Sequence, residues 1–330
     1  MWLTNRVGIV VACVLVAFPG AQLVAGDYVG RTEMQSVIES AVRQGVDRRW
    51  AEDVLMAAER KQSILDAISR PAEKTKPWHE YRQIFITDQR IDGGVVFAQQ
   101  YADTLAEVSM RTGVPAAVIV AIIGVETYYG RITGRYRVVD ALATLAFDYP
   151  KRSPFFTREL EHFLVLAFES GKDPLSLQGS YAGAMGWGQF MPSSYRAYAR
   201  DFDGDAIADI WANPHDAIYS VANYFTAHGW ESGAPVVVRA HGDGAAAALF
   251  DGGLKPKLTV GELAKRGIAP TKATDITLKA TPLKLDGSDA AEYWLGLPNF
   301  YVITRYNHSA MYALSVWQLS QAIDSALSEY

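Results

Sequence analysis

A chain of 330 residues is long enough for one large domain or two to three smaller ones. Hydrophobic residues make up 49% and charged residues 20%, which supports a full core and excludes a disordered chain. The 31 Lys and Arg against 36 Asp and Glu leave a net charge of -5, without the basic excess of a nucleic-acid binder.

Residues 1–26 read as an export signal. Arg6 is the one charge before Asp27, and the apolar run Val7–Phe18 is too short to span a bilayer. Pro19 and Gly20 break it, and Val24-Ala25-Gly26 offers small residues for cleavage. The alternative, a buried N-terminal helix, fits less well because the run is apolar without a polar face. Cys13, the one cysteine, lies in this run. Val10-Val11-Ala12-Cys13 loosely resembles a lipoprotein box, but too little apolar sequence precedes it. A soluble periplasmic product is therefore expected over a lipid-anchored one. Cleavage near Gly26 removes Cys13 and Arg6, so the mature chain has no thiol chemistry and a net charge one unit more negative.

From Thr32 to Ile68, Val37, Ile38, Ala41 and Val42, then Trp50, Val54, Leu55 and Ala58, recur at helical spacing, and Arg70-Pro71 ends the stretch. Lys74–Trp78 reads as a polar, proline-containing linker. Asp92–Thr112 predicts a helix stopped by Gly113-Val114-Pro115, with Pro115 in the first turn of the next. Ala116–Gly124 is apolar almost without interruption, the mark of a helix buried on all sides, and Glu126 falls near its end. Leu142–Phe147, Phe155–Glu169 and Asp216–His228 predict further helices. Past Gly229 the texture changes. Val236–Val238, Leu258–Val260, Ile276–Leu278 and Tyr301–Ile303 are strand candidates separated by Gly, Pro and Asp. Met311–Leu327 predicts a last helix. The expected organisation is a mainly α (α+β) chain: an N-terminal α-helical region over 27–112, a core over 113–231, a small β-rich unit over 232–303 and a C-terminal segment over 304–330.

Three segments could carry chemistry. A carboxylate at the end of an apolar helix is costly to bury while charged, so Glu126 is expected to have a raised pKa and to serve as a general acid. The alternative is a helix-terminal Glu paired with Arg131 or facing solvent. The second segment, Gly179–Tyr195, combines glycines that let backbone approach a ligand with Trp187, Phe190 and Tyr195 as stacking faces and with Ser180 and Gln189 as hydrogen-bonding groups. Its alternative is a tightly packed turn. Aromatics at 12% of the chain, with 8 Trp and 17 Tyr, suit a sugar cleft or a large core equally. The third is Asp201-Phe202-Asp203-Gly204-Asp205-Ala206-Ile207-Ala208-Asp209. Carboxylates at positions 1, 3 and 5, with the Ile207 carbonyl at position 7, match the start of an EF-hand calcium loop. Ala206 stands where that loop expects Gly, and Ala212 where it expects Glu, which leaves Asp216 as the natural later acid. Ca²⁺ is favoured over Mg²⁺ because an all-protein oxygen cage suits it better.

Taken in order, these segments resemble a known family. Gly124-Val125-Glu126-Thr127-Tyr128-Tyr129-Gly130 is followed by Asp140-Ala141-Leu142-Ala143-Thr144-Leu145 and by Ala182-Gly183-Ala184-Met185-Gly186-Trp187-Gly188-Gln189-Phe190-Met191-Pro192-Ser193-Ser194-Tyr195. The acidic loop comes next, then Ser220-Val221-Ala222-Asn223-Tyr224-Phe225 with Ala227-His228-Gly229-Trp230, and Thr304-Arg305-Tyr306-Asn307-His308-Ser309 near the end. Together they resemble the lytic murein transglycosylase B family over most of the chain from about Trp78.

The resemblance implies a goose-lysozyme-like catalytic core over 113–231, including the EF-hand-like loop at 201–216, with an α-helical domain built from both chain ends and a small β-domain. It implies non-hydrolytic cleavage of the MurNAc–GlcNAc β-1,4 bond of peptidoglycan to 1,6-anhydro-MurNAc ends. Glu126 takes the family's place of sole acid/base, and Ser180 that of the residue orienting the muramyl N-acetyl group. Gln189, Tyr224, Tyr306 and Asn307 fall on substrate-binding positions. Arg152 matches the second Arg of a family pair whose first position is Lys151 here. Asp201, Asp203, Asp205, Ile207 and Asp216 map to a structural calcium site, and no organic cofactor is implied. The expected partners are peptidoglycan strands and other cell-wall enzymes, not nucleic acid, with the protein monomeric in the periplasm. Ordinary glycosidases use two carboxylates; Asp140 and Asp148 are the candidate seconds near Glu126, and the sequence places neither in a pocket. A water-using muramidase on the same fold and a non-catalytic glycan-binding protein are the rival readings.

Overall fold

The computed structural model describes residues 26–70, 76–242 and 245–329. The expected export segment and Cys13 lie outside them, apart from Gly26. Three helices, α1 (Thr32–Arg43), α2 (Arg48–Met56) and α3 (Gln62–Ile68), fill the stretch where the periodicity predicts helix. Asp47 sets the start of α2 by accepting the Trp50 amide at 2.8 Å. Trp78 is not linker: it opens α4 (Trp78–Phe85) and is buried. The single helix expected over 92–112 is two, α5 (Asp88–Gln100) and α6 (Ala102–Thr112), parted at Tyr101, whose ring packs on Phe97 at 4.8 Å. The apolar helix α7 (Ala116–Thr127) follows.

The short strand β1 (Tyr136–Arg137) leads into α8 (Val138–Asp148) and α9 (Ser153–Ser170), and its partner is β2 (Gln178–Gly179). Then come α10 (Pro192–Tyr198) and α11 (Pro214–Ala227). The β-rich stretch holds β3 (Val237–His241), β4 (Leu258–Thr259), α12 (Val260–Ala264), β5 (Ala269–Pro270), β6 (Lys279–Asp286) and β7 (Ala291–Gly296). These strands form an antiparallel sheet in the order β4-β6-β7-β3-β5. The chain closes with α13 (Pro298–Tyr306) and α14 (Ala310–Ser328). Two strand expectations are corrected here. Ile276–Leu278 is a turn that precedes β6, and Tyr301–Ile303 lies inside α13, where Pro298 starts a helix whose Phe300, Val302 and Ile303 are buried.

Among the described residues, most buried apolar side chains fall into three clusters. Val37, Ile38, Leu55 and Ile64 of the first helices pack with Leu142, Leu145, Phe163 and Leu164 of α8 and α9. Ile119, Ile122 and Ile123 of α7 pack with Phe225 of α11, Ile303 of α13 and Leu314 and Leu319 of α14. Val260, Leu263, Ile268 and Leu295 fill the β-rich unit. The second cluster positions the site, because it sets the end of α7 against α14 although the two are far apart in sequence. Among the described residues, no single helix is long and apolar enough to cross a membrane.

Candidate active site

Residues Val118–Gly124 of α7 are buried without a polar side chain among them. Glu126 emerges half-buried where the helix leaves this packing. The chain then turns sharply, with Tyr128 and Tyr129 at φ 53° and 62°. Thr127 fixes the turn: its hydroxyl donates to the Trp187 carbonyl at 2.9 Å and accepts the Gly130 amide at 3.0 Å. Arg131 lies over the Tyr128 ring, 5.5 Å from its centroid.

A polar neighbour comes from α14. Ser309 caps that helix by accepting the Tyr312 amide at 3.2 Å, and the Tyr312 hydroxyl donates to Glu126 Oε1 at 2.5 Å. Burial, and then the charge of Glu126, hold this hydroxyl well above its ordinary pKa. It therefore stays an O–H donor at any physiological pH. Tyr306, at the end of α13, is raised in the same way, first by burial and then by Glu126. Its hydroxyl donates to the Gly188 carbonyl at 2.5 Å.

The other expected cleft residues divide by what their polar atoms do. Ser180 Oγ accepts the amides of Ala182 at 3.3 Å and Ala184 at 3.1 Å, contacts that leave its proton to donate. Gln189 sits at φ 52°, and its Nε2 donates to the carbonyls of Thr133 at 3.1 Å and Gly186 at 2.9 Å, which ties the glycine-rich loop together. Tyr224 donates to the Arg305 carbonyl at 2.6 Å and stacks on His228 with ring centroids 4.0 Å apart. Burial raises its hydroxyl to about 12. Tyr224 and Tyr306 pack edge to face at 4.8 Å, so both hold backbone around the site. Asn307 directly follows α13, half-buried, and its side chain makes no hydrogen bond among the described residues. Arg152 is exposed at the start of α9, with its guanidinium 4.3 Å from the Phe155 ring centroid.

The two carboxylates weighed as a second acid, Asp140 and Asp148, are engaged by arginines. Asp140 is buried, takes Arg137 Nε at 2.7 Å and Nη2 at 2.8 Å, and accepts the Glu59 amide. Asp148 pairs with Arg31 at 2.8 Å and Arg60 at 3.1 Å. Both thus serve the α1–α3 contact.

The carboxylates of Asp201, Asp203 and Asp205 converge within 4.8 Å of one another. Asp201 is held below its ordinary pKa by the Gly204 amide and others, so it is charged in the loop. Ala206 takes the left-handed conformation, φ 73°, that the calcium-loop pattern assigns to Gly. The donor set, charged oxygens crowded at one point, fits a hard divalent cation. Asp216 stands outside this group. Its two oxygens accept the amides of Phe202 at 2.8 Å and Asp209 at 2.7 Å, which closes the loop at both ends. Burial raises its pKa.

The Transglycosylase SLT domain family matches residues 30–321. The chain belongs to this family. It is 46% identical over 308 residues to membrane-bound lytic murein transglycosylase B of Escherichia coli K12, covering 90% of this chain and 84% of that protein. Catenated lytic transglycosylase SltB1 of Pseudomonas aeruginosa superposes with a TM-score of 0.87 at 52% identity, covering 91% of this chain and 100% of that one. The Escherichia coli lytic transglycosylase Slt35, solved in complex with calcium, gives a TM-score of 0.83 at 45% identity, with 92% and 96% covered. The mainly α fold with a small sheet is the fold of Slt35, and the chain is an enzyme of the family, a lytic transglycosylase that cleaves peptidoglycan. Sequence reasoning singled out Glu126 as a candidate but not Tyr312, whose contact with it spans 186 positions.

Proposed function

We propose that the protein cleaves the MurNAc–GlcNAc β-1,4 bond of peptidoglycan strands without water, leaving 1,6-anhydro-MurNAc ends, with Glu126 as its one acid/base. The observation that carries this reading is the company each carboxylate keeps. Glu126 meets a tyrosine hydroxyl, whereas Asp140 and Asp148 are neutralised by arginines. Hydrolysis on the two-carboxylate plan needs a second acid facing the same bond.

One carboxyl group suffices if the substrate supplies the second nucleophile. Protonated Glu126 gives its proton to the glycosidic oxygen as the C1–O bond breaks. The muramyl N-acetyl oxygen stabilises the positive charge at C1, and the Ser180 hydroxyl is the donor that orients it. The Glu126 carboxylate then takes the proton of the C6 hydroxyl while that oxygen bonds to C1. Glu126 ends protonated, and no water is consumed. Tyr312 holds Glu126 aimed through both proton transfers. Gln189, Tyr224 and Tyr306 shape the cleft by fixing its loops, and Asn307 and Arg152 offer polar groups to the glycan.

We assign calcium to the acidic loop, with Asp201, Asp203, Asp205 and the Ile207 carbonyl as ligands and Asp216 as the buttress that closes the loop. Bound calcium would supply charge balance and rigidity there. Residues 27–112, 113–231, 232–303 and 304–330 are proposed as the structural divisions, and the periplasm as the place of action of a monomer.

The test is digestion of purified sacculi by wild type and Glu126→Gln. General acid–base catalysis contributes about 10²- to 10⁴-fold, so release of anhydro-muropeptides should fall by that order in the variant. Ends carrying one more water would move the reaction to a hydrolase.

A further inference from the structure

The turn after Glu126 is held by a helix that the reaction does not otherwise use. Tyr128, Tyr129 and Gly130 take successive left-handed φ values of 53°, 62° and 80°. Bulky residues avoid that conformation, and it persists only where the surroundings impose it. Thr127 holds it from one side, and α5 holds it from the other through Arg90. The Arg90 carbonyl accepts the Tyr129 hydroxyl at 2.6 Å. The Arg90 Nη1 donates to the Gly124 carbonyl at 3.2 Å, and the guanidinium lies over the Tyr128 ring, 4.9 Å from its centroid. Arg90 therefore grips α7 two positions before Glu126 and the turn two and three positions after it.

The slot for Tyr129 is made by missing side chains. A Cβ on Gly93, Gly94 or Gly124 would stand 2.9, 2.8 or 2.6 Å from a Tyr129 atom. Stability alone would not choose this arrangement. Adjacent glycines weaken the interior of α5. Arg90 Nε and the Tyr128 hydroxyl are buried without hydrogen-bond partners among the described residues. Local rules broken together, beside a reacting group, point to a demand for position.

We propose that Arg90 is a positioning residue for Glu126. It acts through Gly124, Tyr128 and Tyr129 to set where the carboxylate leaves α7, and the inference rests on the acid/base role given to Glu126. A misplaced acid costs turnover more than substrate binding.

The experiment measures kcat and KM on soluble glycan-strand fragments, with thermal melts, for wild type, Glu126→Gln, Arg90→Gln, Arg90→Lys and Tyr129→Phe. Arg90→Gln should lose about tenfold or more in kcat with KM within about twofold and a cooperative melt. Arg90→Lys should recover part of the loss, since an ammonium can reach the carbonyl but cannot cover the Tyr128 face. Tyr129→Phe should lose less, and the double variant Arg90→Gln/Tyr129→Phe should fall short of the product of the single losses, as members of one clasp do. If Arg90→Gln does not fold, Arg90→Lys, which keeps the charge but not the planar fork, decides alone. Wild-type kcat in Arg90→Gln, or in Arg90→Lys in that case, or a loss confined to KM, overturns the inference. Wild-type turnover by Glu126→Gln overturns instead the reading beneath it.

Discussion

Tyr312 is the hydrogen-bond donor that the proposed mechanism gives to Glu126. Its hydroxyl donates to the carboxylate at 2.5 Å and cannot ionise in the physiological range. Tyr312→Phe removes that bond and keeps the ring, so kcat should drop roughly tenfold, about 1.4 kcal/mol, with the melting temperature nearly unchanged. Steady-state kinetics and a melt check this together, and an unchanged kcat would remove Tyr312 from the mechanism. Ser180→Ala tests the neighbouring assignment. It removes the acceptor of the Ala182 and Ala184 amides as well as the donor, so it should lower both kcat and stability. Glu126 was legible in the sequence because an acid after a run of buried aliphatics is costly unless used. Tyr312 was not, because nothing local marks it. Gln189 and Tyr224 were expected at the substrate, and their hydrogen bonds run to backbone carbonyls, a use that residue type alone does not disclose.

The acidic loop makes its prediction as an element. Removing calcium should lower the melting temperature, since a ligand at a hundredfold excess over its Kd and bound only to the native state adds about 2.7 kcal/mol. EDTA followed by calcium repletion, read by melting, checks it, and an unchanged melt would argue against the site. Alternate acids made this loop readable, whereas the engagement of Asp216 with the amides of Phe202 and Asp209 followed from tertiary closure. The end of α11 carries a pH prediction. Burial holds His228 below its ordinary value of 6.5, and His162 of α9 is depressed for the same reason. The unfolded chain therefore binds more protons, and the stability these groups contribute is full above 6.5 and lost as pH falls below it. Melts across that range should show the fall, and His228→Gln should flatten it. The strand expectation at Tyr301–Ile303 failed because a β-branched and aromatic triplet fits a buried helix face equally well. The strand β6 escaped notice because Lys279, Pro282, Lys284 and Asp286 break its apolar pattern.

Across the whole molecule, polar contacts help join the β-rich unit to the helices. One runs through Glu292 of β7, whose Oε2 accepts the indole N–H of Trp78 on α4 and of Trp294, each at 3.2 Å, and also pairs with Arg239 of β3. Glu292→Ala leaves these donors unpaired and should cost about 1–3 kcal/mol, read by denaturant unfolding. A loss within error would mean that Glu292 does not hold the sheet to α4, leaving that to apolar contact and to His79 Nδ1 at the Asp286 carbonyl. The change from helical to strand texture after Gly229 was legible. The return of α13 and α14 to pack beneath α7 was carried by the family resemblance and not by periodicity. That return brings the Tyr312 hydroxyl to Glu126. The most direct test of this account is mass spectrometry of the soluble muropeptides released from purified sacculi by wild type and by Glu126→Gln. It predicts anhydro-ended products from the wild type and almost none from the variant. Reducing ends from the wild type, or anhydro products from both, would contradict it.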